Sequence, residues 1–159
     1  MFREMRRKNQ VLTAAACEEI LREGTCGVLA VAGDDGYPYA VPLSYAHCDN
    51  RIYFHCAKSG HKLDAIARNE KASFCVIGQD RILPEEYTTD YRSVIIFGKI
   101  RILEDDAEKR AAIKEIGRKY APDASDASLQ AEIDGYWKAL CVLEMTIEHM
   151  SGKRRKQPQ

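Results

Sequence analysis

The sequence lacks an apolar run long enough to span a membrane, and its N-terminal stretch, MFREMRRKNQ, lacks the apolar centre of a signal peptide. It also lacks an excess of charge of either sign, because Lys and Arg together number 24 and Asp and Glu together number 24. No overall electrostatic field therefore favours nucleic acid or an anionic membrane surface. These absences predict a cytoplasmic protein that binds neither nucleic acid nor membrane.

Paired cysteines are missing as well. The six cysteines stand singly, with no Cys-x-x-Cys pair, and several fall in apolar strand patterns where a free thiol behaves as a small hydrophobic group. This distribution indicates reduced, intracellular thiols rather than a disulfide framework. Zinc sites favour closely spaced ligands on turns, whereas the neighbours His55 and Cys56 point to opposite faces of a predicted strand. We therefore predict no metal site.

Two familiar nucleotide-binding patterns are also absent. No Gly-x-Gly-x-x-Gly occurs, so we do not expect a dinucleotide-binding domain within the chain. No Gly-Lys-Ser or Gly-Lys-Thr follows a glycine at the distance that a P-loop requires. A phosphate bound by this chain would therefore need a different arrangement of backbone and side chains.

The hydrophobic patterns that are present predict an α+β fold of one domain over residues 1–152, followed by a basic disordered tail over 153–159. Tight turns join the first three strands into an antiparallel meander, which is typical of a barrel with helices inserted around it. A long polar loop is predicted over 80–90. Strands are predicted over 26–33, 37–46, 51–56, 72–79, 91–103 and 139–150. Helices are predicted over 14–23 after a Thr13 cap, 61–69 after a Ser59 cap, 106–120 after an Asp105 cap, and 126–138.

The segment IYFHCAKSGHK, residues 52–62, begins as a strand and ends in a cluster of polar groups. Gly60 lets the backbone approach a ligand, the following helix presents free N–H groups, and Lys62 lies in its first turn. A lysine there is unfavourable for the helix dipole unless an anion is bound too, so the pattern indicates a phosphate site. Nucleophilic catalysis by Cys56 with a histidine base is an alternative, although an ordinary half-buried strand cysteine is the interpretation that we favour.

Four segments taken together resemble a known family: GDDGYPYAVPLSY, IYFHCAKSGHKLDAIARN, ASFCVIGQ and YRSVIIFGKIRILED. They are similar to the flavin-binding split-barrel proteins related to pyridoxamine 5'-phosphate oxidase, and most similar to the 5-nitroimidazole antibiotic-resistance (Nim-type) group. The resemblance extends from about Met1 to Gly152. It implies a six-stranded antiparallel split β-barrel with peripheral helices, forming a homodimer with flavin mononucleotide (FMN) in two clefts at the interface.

The resemblance also implies which residues hold the flavin. Backbone groups along the isoalloxazine edge would come from Val41, Pro42, Leu43 and Ser44. The ribityl phosphate would be surrounded by His55, Ala57, Lys58, Gly60, His61 and Lys62. The partner subunit would contribute Tyr91, Ser93 and Trp137.

The activity implied by the resemblance is that of an FMN-dependent oxidoreductase. A reduced nicotinamide, NADH or NADPH, would pass a hydride to the flavin, which would reduce a small acceptor such as a nitroimidazole or another nitroaromatic. His61 or His55 could donate a proton. The chain lacks an arginine-rich phosphate strand, which disfavours vitamin B6 oxidation. The alternatives are a flavin- or haem-binding carrier or sensor and a small-molecule binder with an empty cleft, with FMN favoured over FAD or haem.

Overall fold

In a computed structural model, which describes residues 1–156, the chain forms one seven-stranded antiparallel sheet with four α-helices. The strands are β1 Cys26–Ala32, β2 Pro38–Ser44, β3 Ala46–Cys48, β4 Arg51–Ala57, β5 Lys71–Leu83, β6 Thr88–Ile102 and β7 Leu140–Arg154. The helices are α1 Ala14–Glu23, α2 His61–Arg68, α3 Asp106–Tyr120 and α4 Asp126–Tyr136. Residues 157–159, the end of the predicted basic tail, lie outside the described residues.

The strand order is β2-β1-β5-β6-β7-β4-β3, and every neighbouring pair is antiparallel. This confirms the predicted α+β split barrel.

The sheet has seven strands rather than six because Tyr45 divides the strand predicted over 37–46. Its hydroxyl donates to the Leu21 carbonyl at 2.7 Å, and its backbone N–H donates to the Tyr120 hydroxyl at 2.9 Å. Tyr45 thus ends β2, and the chain pairs next with β4 through the short β3.

The prediction of a polar loop over 80–90 is wrong, because β5 and β6 continue there as a hairpin. Their register runs to the pair Leu83↔Thr88, and Arg81 lies 3.3 Å from Asp90 across the two strands. Backbone pairing between strands holds this polar sequence in an extended conformation.

The predicted start of the disordered tail at residue 153 is also wrong. β7 extends to Arg154 because Lys153 pairs with Ser93 on β6, and the Arg155 backbone N–H donates to the Tyr91 carbonyl at 3.0 Å. The basic run therefore begins as part of the sheet.

Helix starts follow the predicted caps in two cases and depart from the prediction in one. The Thr13 hydroxyl accepts from the Ala16 N–H at 3.2 Å, and the Asp105 carboxylate accepts from the Glu108 N–H at 2.9 Å. Ser59 does not cap α2, because Gly60 occupies the cap position and no side chain bonds to it. The start of α2 thus keeps backbone N–H groups that no group of residues 1–156 satisfies.

Two apolar cores lie on opposite faces of β7. Cys141 and Leu143 point into the barrel interior, where α1 and α2 also bury their apolar faces. Leu140 and Val142 point to the other side, where α3 and α4 pack against the sheet. This alternation follows from the two-residue period of a strand. It places the α3–α4 hairpin over the outer surface of β4 and β7.

Across residues 1–156, none of the helices combines the length and the apolar character that a membrane crossing requires. The cytoplasmic location stays a prediction from the sequence.

Candidate functional site

The start of α2 has the backbone shape of an anion cradle. Gly60 adopts φ 138° and ψ 164°, a conformation open to glycine and strained for other residues. A Cβ at this position would meet nothing within 4 Å, so the backbone angle and not crowding requires glycine. Within the part of the chain that the structure describes, the N–H groups of His61 and Lys62 have no protein acceptor. These groups, with the half-buried Lys62 side chain, form what we call the α2 cradle.

A carboxylate from the turn after β1 fixes both ends of α2. Asp34 lies 3.4 Å from His61 Nε2 at the start of the helix and accepts a 2.5 Å bond from Arg68 at its end. The His61 ring also packs against Tyr39 of β2, with 4.1 Å between ring centroids. The side chain of His61 is therefore held by its own chain. The role of Asp34 could not be predicted, because its partners lie far along the chain.

A cavity of about 590 Å³ lies between β4 and the α3–α4 hairpin, and we call it the hairpin cavity. It brings together three predicted site residues, which are Ser44, His55 and Ala57. Its remaining polar side chains are Tyr120, Glu132 and Tyr136, and α3 and α4 add the aliphatic side chains of Ile113, Ile116, Leu129 and Ile133. Among residues 1–156, no Lys or Arg lines it. The helical half of this wall was not predicted, since α3 and α4 showed no site pattern.

A second cavity, of about 530 Å³, is lined by both Lys58 and Trp137. Lys109 of α3 and Lys138, between α4 and β7, complete what we call the lysine cavity. Trp137 thus lines a cavity of its own chain next to a predicted phosphate ligand. Its predicted contribution to a partner subunit remains a prediction.

The other predicted residues lie outside both cavities. Val41 and Leu43 pack half-buried against the barrel core, and Pro42 between them is exposed. They belong to β2, which ends the sheet and pairs only with β1, so one edge of this strand is free to bond a ligand. Tyr91 and Ser93 lie on β6 and are not among the described residues that line either cavity. Their role as partner-subunit residues stays a prediction.

Cys56 lies directly opposite Cys141 across β4 and β7. Burial, and then the neighbouring Cys141, raises the pKa of the Cys56 thiol to about 11. A thiol with so high a pKa remains protonated at neutral pH and is a poor nucleophile. The structure therefore supports the half-buried strand interpretation of Cys56. Among residues 1–156, no three His, Cys, Asp or Glu side chains form a group that could hold a metal ion.

Lys119 is a half-buried cation that the sequence did not reveal. Its Nζ donates to the carbonyls of Leu21 at 3.2 Å and Gly24 at 2.5 Å, and lies 3.9 Å from the centre of the Tyr45 ring. Burial lowers the pKa of this ammonium to about 8. The contacts join the end of α3 to the end of α1 and so anchor one wall of the hairpin cavity.

Replacing Lys119 by Met should change how stability depends on pH. The pKa is about 8 in the folded chain against an ordinary 10.5, so the unfolded chain binds more protons between these values and stability rises with pH there. Lys119→Met should flatten that rise, measured by urea unfolding from about pH 7.5 to about pH 10.5. Lys114→Met, on the same helix but lining a different groove, should keep the wild-type slope. A wild-type slope in Lys119→Met would contradict the assignment.

The antiparallel sheet, its curled interior core and the surrounding helices define the α+β split-barrel class. A family model described as pyridoxamine 5'-phosphate oxidase matches residues 13–154, and the chain belongs to this family.

Three similar proteins extend this result. A proposed 5-nitroimidazole antibiotic resistance protein from Bacteroides thetaiotaomicron has TM-score 0.76 and 23% identity, over 90% of this chain and 85% of that one. An FAD-binding protein from Mesorhizobium loti has TM-score 0.64 and 26% identity, and the match covers 92% of this chain and 97% of that one. An uncharacterized protein of Rhizobium meliloti (strain 1021) is 30% identical over 94 residues, 59% of this chain. The match spans 57% of that relative, less than two thirds of its length.

Proposed function

We propose that this protein is a flavin-dependent reductase that uses FMN and a reduced nicotinamide to reduce a small, uncharged acceptor of the nitroimidazole or nitroaromatic type. The observation that carries the proposal is the α2 cradle, in which Lys62 and N–H groups that are unsatisfied within residues 1–156 share the first turn of one helix. Family membership supports it, as do a similar protein described as FAD-binding and another linked to nitroimidazole resistance.

The α2 cradle suits the flavin phosphate. The N–H groups of His61 and Lys62 and the positive end of the helix dipole attract an anion, and Lys62 adds a full charge. Backbone groups on the free edge of β2, over Val41, Pro42, Leu43 and Ser44, would hold the ring system. Flavin bound there would supply two-electron chemistry, while the protein orients the reactants and excludes water.

The hairpin cavity suits the acceptor. Its wall is mainly aliphatic, and the absence of Lys and Arg from its lining disfavours a phosphorylated substrate. His55 reaches this cavity, whereas the side chain of His61 contacts Asp34. We therefore assign His55 as the candidate proton donor and His61 as a positioning residue of the α2 cradle.

A second copy of the chain completes the proposal. Tyr91, Ser93, Ile95 and Phe97 lie on one face of β6, and the two apolar members stay 42% and 40% exposed. Val28 continues this face on β1 through the register of the sheet. Exposed apolar patches of this kind are typical of interaction surfaces. We propose that this β6 face forms a homodimer and carries the predicted partner residues Tyr91 and Ser93.

The purified protein should be yellow and should bleach under nitrogen when a reduced nicotinamide is added. A nitroimidazole should then restore the flavin absorbance, because the acceptor takes the electrons. Stopped-flow absorbance measures both half-reactions, and a buffer addition in place of the nitroimidazole is the control. Bound flavin that neither NADH nor NADPH reduces would contradict the reductase and indicate a carrier. A haem spectrum would contradict the flavin assignment itself.

A further inference from the structure

The lysine cavity collects positive charge from three separate elements. Lys58 follows β4, Lys109 lies on α3, and Lys138 lies between α4 and β7. Two acidic residues, Glu104 and Asp106, also line this cavity. The formal charge of the lining is therefore positive.

Lys109 is the unusual member of this group. Its side chain is buried, with 8% of the residue exposed, and within residues 1–156 no carboxylate forms an ion pair with it, although Asp106 lines the same cavity. Its Nζ donates to the Trp137 carbonyl at 3.3 Å and lies 4.1 Å from the centre of the indole ring. Burial and the nearby Lys58 lower the pKa of Lys109, and the Asp106 carboxylate opposes them only in part. A buried ammonium without a carboxylate is costly, and an anion in the cavity would offset that cost.

We propose that the lysine cavity binds the phosphate or diphosphate group of a nucleotide, as a second anion site beside the α2 cradle. Three ammonium groups without a guanidinium suit the compact charge of phosphate better than the planar, bidentate geometry of a carboxylate. The cavity volume of about 530 Å³ exceeds what one inorganic ion needs and falls in the range of small-molecule sites.

Sequence continuity links this cavity to the α2 cradle. Lys58 and Leu63 line the lysine cavity, and the α2 cradle is formed by the residues between them. The same short segment therefore borders both anion sites. This inference does not depend on the proposed flavin chemistry, because it concerns only the charge and shape of the cavity.

A purely structural role for Lys109 makes a different prediction. The bond and ring contact to Trp137 tie α3 to the turn before β7. If that were their only purpose, Lys109→Met would lower stability and leave anion binding unchanged. Binding therefore has to be measured separately from stability.

Trp137 is the only tryptophan in the chain, so its fluorescence reports directly on the lysine cavity. Sodium pyrophosphate titrated into the purified protein at constant ionic strength should change this fluorescence in a saturable way. Lys109→Met should weaken the binding by about ten-fold or more, the usual effect of losing a charged hydrogen bond to an anion. Calorimetry provides the same comparison where the substitution changes the starting fluorescence. Lys114→Met is the matched control and should bind like wild type.

Three further measurements make the test decisive. Lys58→Met removes an exposed lysine, should fold normally, and should also weaken pyrophosphate if the cavity is the site. Tighter binding of ADP than of pyrophosphate would assign a nucleoside diphosphate, and equal binding would assign recognition of the diphosphate alone. Release of flavin by pyrophosphate would place the anion in the α2 cradle and overturn the proposal. A wild-type protein with no saturable response would overturn it as well, whatever the flavin content.

Discussion

Lys62→Ala should weaken FMN binding by about ten- to 150-fold and leave riboflavin binding unchanged. A hydrogen bond to a charged group contributes about 1.5–3 kcal/mol, and riboflavin has no phosphate for Lys62 to bind. The half-buried position of Lys62 beside unsatisfied N–H groups makes the phosphate its natural partner. Titrating both ligands into wild type and variant by flavin fluorescence separates the phosphate contact from the ring contact.

Lys71→Ala is the matched control for this experiment. Lys71 is an exposed lysine at the start of β5, so its removal should change FMN affinity by no more than about 0.5 kcal/mol. Equal weakening of FMN and riboflavin by Lys62→Ala would indicate general damage to the fold. Unchanged binding of both ligands would move the phosphate away from the α2 cradle.

Ile95→Asp should convert the proposed homodimer into monomers that bind flavin poorly. The two-fold symmetry of a dimer would bury one carboxylate from each chain, and an unpaired buried charge costs several kcal/mol. A loss of about 4 kcal/mol per dimer raises the dissociation constant roughly a thousand-fold. Sedimentation velocity across a dilution series measures the change, and flavin content is read from the same samples.

Tyr37→Asp is the control, because it also replaces a large, exposed side chain with a carboxylate. Tyr37 is exposed and lies outside the strands that form the β6 face, so this variant should sediment like wild type. A wild-type protein that sediments as a monomer with saturated flavin would contradict the homodimer. A dimer that persists in Ile95→Asp would place the interface on another surface.

The elements that could be predicted are those set by neighbouring residues. The caps at Thr13 and Asp105 each bond to an N–H three residues later, and the Gly60 conformation is signalled by the glycine itself. The break at Tyr45 could not be predicted, because it depends on Tyr120, which is 75 positions away. The β5–β6 hairpin was missed for a related reason: cross-strand pairing stabilises a polar segment whose composition is typical of a loop.

The parts of the candidate site that could be predicted are likewise those formed by residues close together in the sequence. The α2 cradle lies within one short segment, so its pattern was visible in the sequence. The hairpin cavity and the lysine cavity are assembled from β4, α3 and the chain around α4, which meet only after folding. Lys109 and Lys119 look like ordinary helix-surface lysines in the sequence, and only the packed structure shows that Lys109 is buried and Lys119 half-buried.

The contact of Asp34 with both ends of α2 has a thermodynamic consequence. The Asp34 carboxylate connects the turn after β1 to the α2 cradle, so the ordering of the turn is coupled to the ordering of the cradle. An anion that holds the start of α2 in place also favours the ordered form of this turn, and the ordered turn favours the anion by the same free energy. Ligand affinity is thus open to tuning through the length and composition of the turn that carries Asp34.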